Sequence, residues 1–156
     1  MDMVDTERYA RHISLPDVGI TGQKLIDDSR VLVVGAGGLG SPVLMYLAAA
    51  GIGHIGVVDD DVVDLSNLQR QIIHSESAIG RPKVESAKER INSINSAIKV
   101  TTWNARLSPD NAEEILCDWD IVIDGTDNIP TRYLVDDVCN MSVSYTHLTL
   151  PTKASV

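Results

Sequence analysis

Residues 31–59 constrain this chain more than any others: a hydrophobic run, a glycine cluster, an apolar stretch and a second hydrophobic run ending in an acid come in succession. Val31-Leu32-Val33-Val34 reads as a buried strand, and Gly35-Ala36-Gly37-Gly38-Leu39-Gly40 follows at once. Glycine there lets the backbone turn tightly and lets phosphate approach bare amides, while a helix beginning near Ser41 turns its positive end to the same place. Val43, Leu44, Tyr46, Leu47 and Ala50 nearly surround that helix, as expected for one packed on a parallel sheet, and Gly51 terminates it. Ile55-Gly56-Val57-Val58 makes the next strand, and Asp59 stands at its end, where an acid accepts hydrogen bonds from ribose hydroxyls. By itself the pattern predicts a nucleotide-binding strand–helix–strand unit and nothing finer.

The 156 residues, 44% of them hydrophobic, suit one α/β domain with a real core. Acids outnumber bases 22 to 13, a formal charge of -9, which argues against general binding to nucleic acid or an anionic membrane. Any phosphate site must therefore be locally basic. Cys117 and Cys139 form no CxxC pair, and no leader or long apolar run is found, so disulfides, zinc knuckles and membrane insertion lack support and a reducing cytoplasm is expected.

Upstream, Asp5 to His12 reads as a short helix with Thr6 as a cap, carrying Arg8, Arg11 and His12, the simplest reading being a solvated amphipathic helix. Gly22 to Asp28 is expected to form a helix that packs Leu25 and Ile26 beneath the first strand. Beyond Asp59 come Asp60, Asp61 and then the polar run Ser66-Asn67-Leu68-Gln69-Arg70-Gln71; Arg70 either pairs with one of the three aspartates or faces a ligand. Pro82 to Ile94 has Val84, Ala87, Ile91 and Ile94 on one helical face, with Pro82 at the first position. Lys83 in the first turn opposes the helix dipole, so water screens it or an anion lies nearby.

A third strand is predicted over Ile98 to Trp103, and a helix over Asp110 to Leu116 packing through Ala112, Ile115 and Leu116, with Trp103 and Trp119 in packing roles. Ile121-Val122-Ile123 forms the fourth strand and runs into Asp124-Gly125-Thr126-Asp127-Asn128, two carboxylates where ligands of parallel sheets sit and where Mg²⁺ can bridge acid and phosphate. Asp127 or Asn128 equally suits the cap of a helix running to Cys139. Residues 143–156 hold no acid and are rich in Ser and Thr; they are expected to break the βα rhythm and to be a non-native tail.

The glycine motif, Asp59, Ser66-Asn67-Leu68-Gln69-Arg70-Gln71, Arg81-Pro82-Lys83 and Asp124-Gly125-Thr126-Asp127-Asn128, together and in this order, closely resemble the ThiF/HesA/MoeB family of enzymes that activate ubiquitin-like sulfur carriers. The resemblance runs from about Arg8 to Cys139 and is far more specific than the glycines alone. It implies an α/β fold, a Rossmann-like, mainly parallel sheet with helices on both faces. The division it implies is an N-terminal helical segment over 1–29, an ATP-binding adenylation domain over 30–142 and the tail over 143–156.

The activity implied is adenylation of the C-terminal glycine of a small ThiS- or MoaD-like carrier, with ATP and Mg²⁺ bound and pyrophosphate released. By the same resemblance Gly35, Gly37, Gly38, Gly40, Asp59, Ser66, Asn67 and Asn128 belong to the nucleotide site; Arg70 and Lys83 contact phosphate oxygens; Asp127 positions Mg²⁺. Arg11 matches an arginine that reaches across a homodimer to the partner's phosphates, as an arginine finger does. Family members continue well past Cys139 with the rest of the sheet and often paired CxxC zinc ligands, which this sequence lacks, so the expected fold is truncated relative to the family, with an exposed sheet edge. Two other readings stand beside this one: an NAD-dependent oxidoreductase, resting on Gly35, Gly37, Gly40 and Asp59, and a nucleotide-binding or carrier-docking fragment without turnover.

Overall fold

A computed structural model describes residues 4–142 and 145–148. Two N-terminal helices, α1 (Ala10–Ile13) and α2 (Gly19–Asp28), precede an alternation of strands and helices: β1 (Arg30–Val34), α3 (Gly40–Ala50), β2 (His54–Val58), α4 (Lys83–Ile94), β3 (Lys99–Trp103), α5 (Ala112–Leu116), β4 (Ile121–Asp124), α6 (Ile129–Ser142) and β5 (Tyr145–Leu148). Among the described residues all four strand pairings are parallel, and the strands lie in the order β3-β2-β1-β4-β5. The chain thus builds outward in one direction from β1 to β3, returns across the sheet, and continues on the other side of β1. Between β1 and β4 the connections leave in opposite senses, opening a crevice beyond their carboxyl ends. This is the expected Rossmann-like architecture.

The strands explain the two-sided core. Side chains alternate across a strand, so Val31 and Val33 face one side with Ile55 and Val57, while Leu32 and Val34 face the other with Val58 and Val122. The first side is closed by Leu44 and Ala48 of α3 and by Val84, Ala87 and Ile91 of α4. On the second, Ala112, Ile115 and Leu116 of α5 join Trp119, Val135 and Cys139. Leu32, Leu44, Ile91 and Leu116 are fully buried, each contributing about 1.5–3 kcal/mol by the usual worth of an aliphatic side chain removed from water. The predicted inward faces of α4 and α5 and the packing roles of both tryptophans are seen; Trp103 and Trp119 meet edge to face, ring centroids 6.1 Å apart. Gly51 ends α3 at φ 86°, in the left-handed region as expected.

Several local expectations are corrected. Asp5, not Thr6, caps the N-terminal turn: its Oδ1 accepts from the Arg8 amide at 2.9 Å, and the helix itself is only Ala10–Ile13. In α2 Ile26 packs on the core but Leu25 points to solvent, because the inward position three residues earlier is Gln23 and Leu25 lies on the opposite side of the helix. Gln23 donates to the Ala50 carbonyl at 3.0 Å and contacts His12 at 2.8 Å. Tyr46 is also exposed, so α3 buries one stripe rather than its whole circumference. Pro82 stands just before α4 rather than in its first turn.

The N-terminal segment is tied to this body. Asn95 donates to the Tyr9 hydroxyl at 2.9 Å, and Arg8 donates to the Ile94 carbonyl at 3.0 Å. At the far end, residues 145–148 pair with β4, so the βα rhythm runs one strand further than expected. The remainder of the tail, 143–144 and 149–156, lies outside the described residues. Among the described residues no helix is long and apolar enough to cross a membrane, and no disulfide engages Cys117 or Cys139.

Candidate functional site

Where the strands end, a cavity of about 710 Å³ opens, of the size that holds a drug-sized or nucleotide ligand. Gly35, Gly37 and Gly38 floor it after β1; Asp59, Asp60 and Asp61 follow β2; Asp127 and Asn128 follow β4; Asn67 and Arg70 close it from the β2–α4 connection and Lys83 from the start of α4. Two predicted members are not in the lining, Gly40 and Ser66, and a third, Arg11, lies elsewhere on the surface.

The glycine loop owes its shape to close backbone approach. Gly35 has φ 95°, a conformation side chains rarely adopt, and a Cβ on Gly40 would overlap the Gly35 carbonyl oxygen. Gly40 therefore lets α3 begin against Gly35. Between them Ala36 is held from two directions. Its amide donates to Asp59 Oδ2 at 2.8 Å, and its carbonyl lies 2.9 Å from His74 Nε2. Asp59 Oδ1 also accepts from the Asp61 amide at 2.9 Å, so the predicted ribose acid is locked in place at the rim of the cavity.

Lys83 has found its anion. Its Nζ lies 2.9 Å from Asp61 Oδ2, with the lysine side chain 6% exposed and the aspartate 68%. Its backbone amide donates to the Asp61 carbonyl at 2.9 Å, which fixes the start of α4 against the segment after β2. Among the described residues Arg70 pairs with none of the three aspartates. Its Nη1 donates to the Ser66 carbonyl at 3.2 Å, and its stem lies 3.6 Å from where a Cβ on Gly38 would stand. The arginine side chain thus lies against Gly38.

The Ser66-Asn67 pair owes its place to a cap. Asp64 Oδ1 accepts from the Ser66 amide at 2.8 Å and hydroxyl at 2.6 Å, and Asn67 Oδ1 accepts from the Asp64 amide at 3.2 Å. The serine contact is the main reason the Asp64 carboxyl is held below its ordinary range. Asn67 reaches the cavity; Ser66 is spent on the cap.

On the β4 side, Asp124 is fully buried and accepts from the Thr126 amide at 2.8 Å and hydroxyl at 2.7 Å, while Arg132 donates to the Thr126 carbonyl at 2.7 Å. These contacts hold the loop that presents Asp127. Asn128 Oδ1 accepts from the Thr131 amide at 3.2 Å, so it caps α6 and lines the cavity at once.

Four contributors escaped sequence reasoning. Arg106 lines the cavity from the turn after β3 and was findable, since it follows a parallel strand's carboxyl end. Asp61 was visible only as one of three acids. Gln71 also lines the cavity, with its side-chain oxygen buried and unpartnered among the described residues. His74 had no local signal at all. For a metal the donors are hard oxygens: Asp127, and the carboxylates of Asp59, Asp60 and Asp61, whose oxygens lie within 4.8 Å of one another. Asp59 and Asp61 are already engaged as described, which leaves Asp60 and Asp127 as the uncommitted carboxylates among the described residues.

Known proteins resemble this chain in sequence and fold. MoeZ of Mycobacterium tuberculosis, described as a probable adenylyltransferase/sulfurtransferase, is 54% identical over 133 residues, covering 85% of this chain and 34% of MoeZ. The SAMP-activating enzyme E1 of Haloferax volcanii is 48% identical over 139 residues, 89% of this chain and 52% of that enzyme. This chain therefore spans between about a third and a half of the length of these relatives. Among solved structures, the E. coli tRNA N6-threonylcarbamoyladenosine dehydratase TcdA in complex with AMP superimposes with a TM-score of 0.91 at 28% identity, over 100% of this chain and 64% of that one. The ThiF family matches residues 9–146. Motifs, fold and cavity agree with that match, and the chain belongs to the ThiF family.

Proposed function

We propose that this chain is the ATP-binding part of a cytoplasmic adenylyltransferase that activates the C-terminal glycine of a small ubiquitin-like sulfur carrier of the ThiS or MoaD kind. One observation carries the reading: Arg70 and Lys83, from separate segments of an acidic chain, line the same glycine-floored cavity as Asp127. Relatives named adenylyltransferases, and solved relatives described with AMP or ATP, support it.

In this reaction a carboxylate oxygen of the carrier's terminal glycine bonds to the α-phosphorus of ATP. The bond from that phosphorus to the α,β-bridging oxygen breaks, and pyrophosphate leaves with the electron pair. An anion must approach an anion, so fixed cations are what the site has to supply. Arg70, lying over Gly38, is placed to neutralise phosphate oxygens at the loop, and Lys83 exchanges part of its contact with Asp61 for phosphate. The Gly37 and Gly38 amides offer donors that cost no charge. Asp59 receives the ribose, with Asn67 and Asn128 orienting the nucleotide. Asp127 suits Mg²⁺, which when bound offsets charge on the triphosphate. Arg11, exposed and without a side-chain partner among the described residues, is available to a second copy in a homodimer.

Carrier-dependent exchange of labelled pyrophosphate into ATP tests the proposal. Exchange that needs the carrier's terminal glycine supports it; exchange no greater than that of a Lys83→Ala variant overturns it. Tight NADH binding with no response to ATP would instead select the oxidoreductase reading.

A further inference from the structure

We infer that His74 is a positioning residue of the nucleotide site, aiming the Gly37 amide into the cavity and coupling the glycine loop to the helix that carries Lys83. The inference rests on the nucleotide-binding reading above. His74 is 7% exposed and sits outside the cavity lining, beneath the loop. Its Nε2 is 2.9 Å from the Ala36 carbonyl and its Nδ1 is 2.9 Å from the Ser86 hydroxyl.

A carbonyl only accepts, so Nε2 carries the proton; the Ser86 hydroxyl, which can donate or accept, satisfies Nδ1. Burial is the main reason the imidazole is held below its ordinary value; the contact with Ala36 opposes that, Lys83 adds to it, and Asp59 opposes it.

The consequence follows from peptide planarity. The Ala36 carbonyl and the Gly37 N–H belong to one trans peptide unit and point in opposite directions. Drawing the carbonyl down onto His74 turns the Gly37 N–H the other way, toward the cavity that Gly37 lines. The preceding peptide is fixed as well, its Ala36 N–H bonded to Asp59. Ser86 lies one turn beyond Lys83 on α4. The imidazole therefore ties a phosphate-binding amide and a phosphate-binding ammonium to a single buried hinge point. Without it the Ala36–Gly37 unit is free to rotate, and the cost falls on the phosphates of a ligand and not on its nucleoside.

The test compares ATP with adenosine, titrated against the chain and its variants by NMR. In H74L the loss of one oriented donor lowers affinity for ATP about tenfold and leaves adenosine within about twofold. H74Q, whose amide N–H can reach the Ala36 carbonyl, restores ATP affinity. If H74L does not fold, S86A carries the comparison, with ATP weakened and adenosine unchanged. Equal losses for both ligands, no loss for either, or no rescue by H74Q overturns the inference. An unaltered chain that binds no ATP overturns the nucleotide reading and this inference with it, a result read before any substitution is made.

Discussion

Lys83 Nζ and Asp61 Oδ2 stand 2.9 Å apart in a lopsided pair, the ammonium almost wholly enclosed and the carboxylate mostly in water. Removing the two partners should therefore have unequal effects. Lys83→Ala leaves an exposed carboxylate that water solvates, so stability changes by about 1 kcal/mol or less, whereas pyrophosphate exchange falls about 10²–10³-fold. Asp61→Ala strands an enclosed cation and lowers the urea midpoint more than Lys83→Ala does. Equal midpoints for the two variants would show that the lysine is solvated by another route.

Gly40→Ala places a methyl group on the Gly35 carbonyl, backbone against backbone, with no flexible side chain to yield. The start of α3 must shift, and with it the loop. The expected result is a lower melting temperature and lost ATP binding together, measured by calorimetry and titration. A variant that melts normally and binds ATP normally would contradict the close approach described here.

Acid sensitivity should come from two imidazoles. His74 and His54 are both held below the ordinary value, mainly by burial, so the folded chain binds fewer protons than the unfolded one as pH falls. The stability they contribute is complete above the unfolded value near 6.5 and is lost as pH drops through it toward the folded values. Urea midpoints should thus be lower at about pH 5.5 than at about pH 7.5, and H74Q should flatten the difference. A midpoint that rises on acidification would reverse the assignment.

Arg11 is tested by mixing. If it serves the neighbouring protomer, Arg11→Ala and Lys83→Ala variants, each inactive alone, should regain about one quarter of normal exchange when combined, since random two-fold pairing builds one intact site in half the dimers. If Arg11 acts within its own chain, the mixture stays inactive.

Much of this was legible in the sequence because it is local or periodic. The glycine run, the apolar faces of α4 and α5 and the acids at the strand ends announce themselves by spacing. Lys83 could be read as a misplaced cation in need of an anion, and the structure supplies Asp61. What stayed hidden depends on contacts between distant segments. Ser66 stood in the same motif as Asn67, yet a cap on Asp64 draws one away from the cavity and leaves the other in it. Leu25 looked like core until Gln23 took the inward stripe. His74 meets Ala36 across 38 residues, a pairing that no window of sequence displays.

Asp59 already gives one carboxylate oxygen to the Ala36 amide and the other to the Asp61 amide. Its rotamer freedom is surrendered once, when the chain folds, instead of at every encounter with a nucleotide. If Asp59 receives the ribose, as proposed above, an arriving sugar hydroxyl meets a fixed acceptor, and discrimination by the shape of the ribose becomes a matter of rigid geometry.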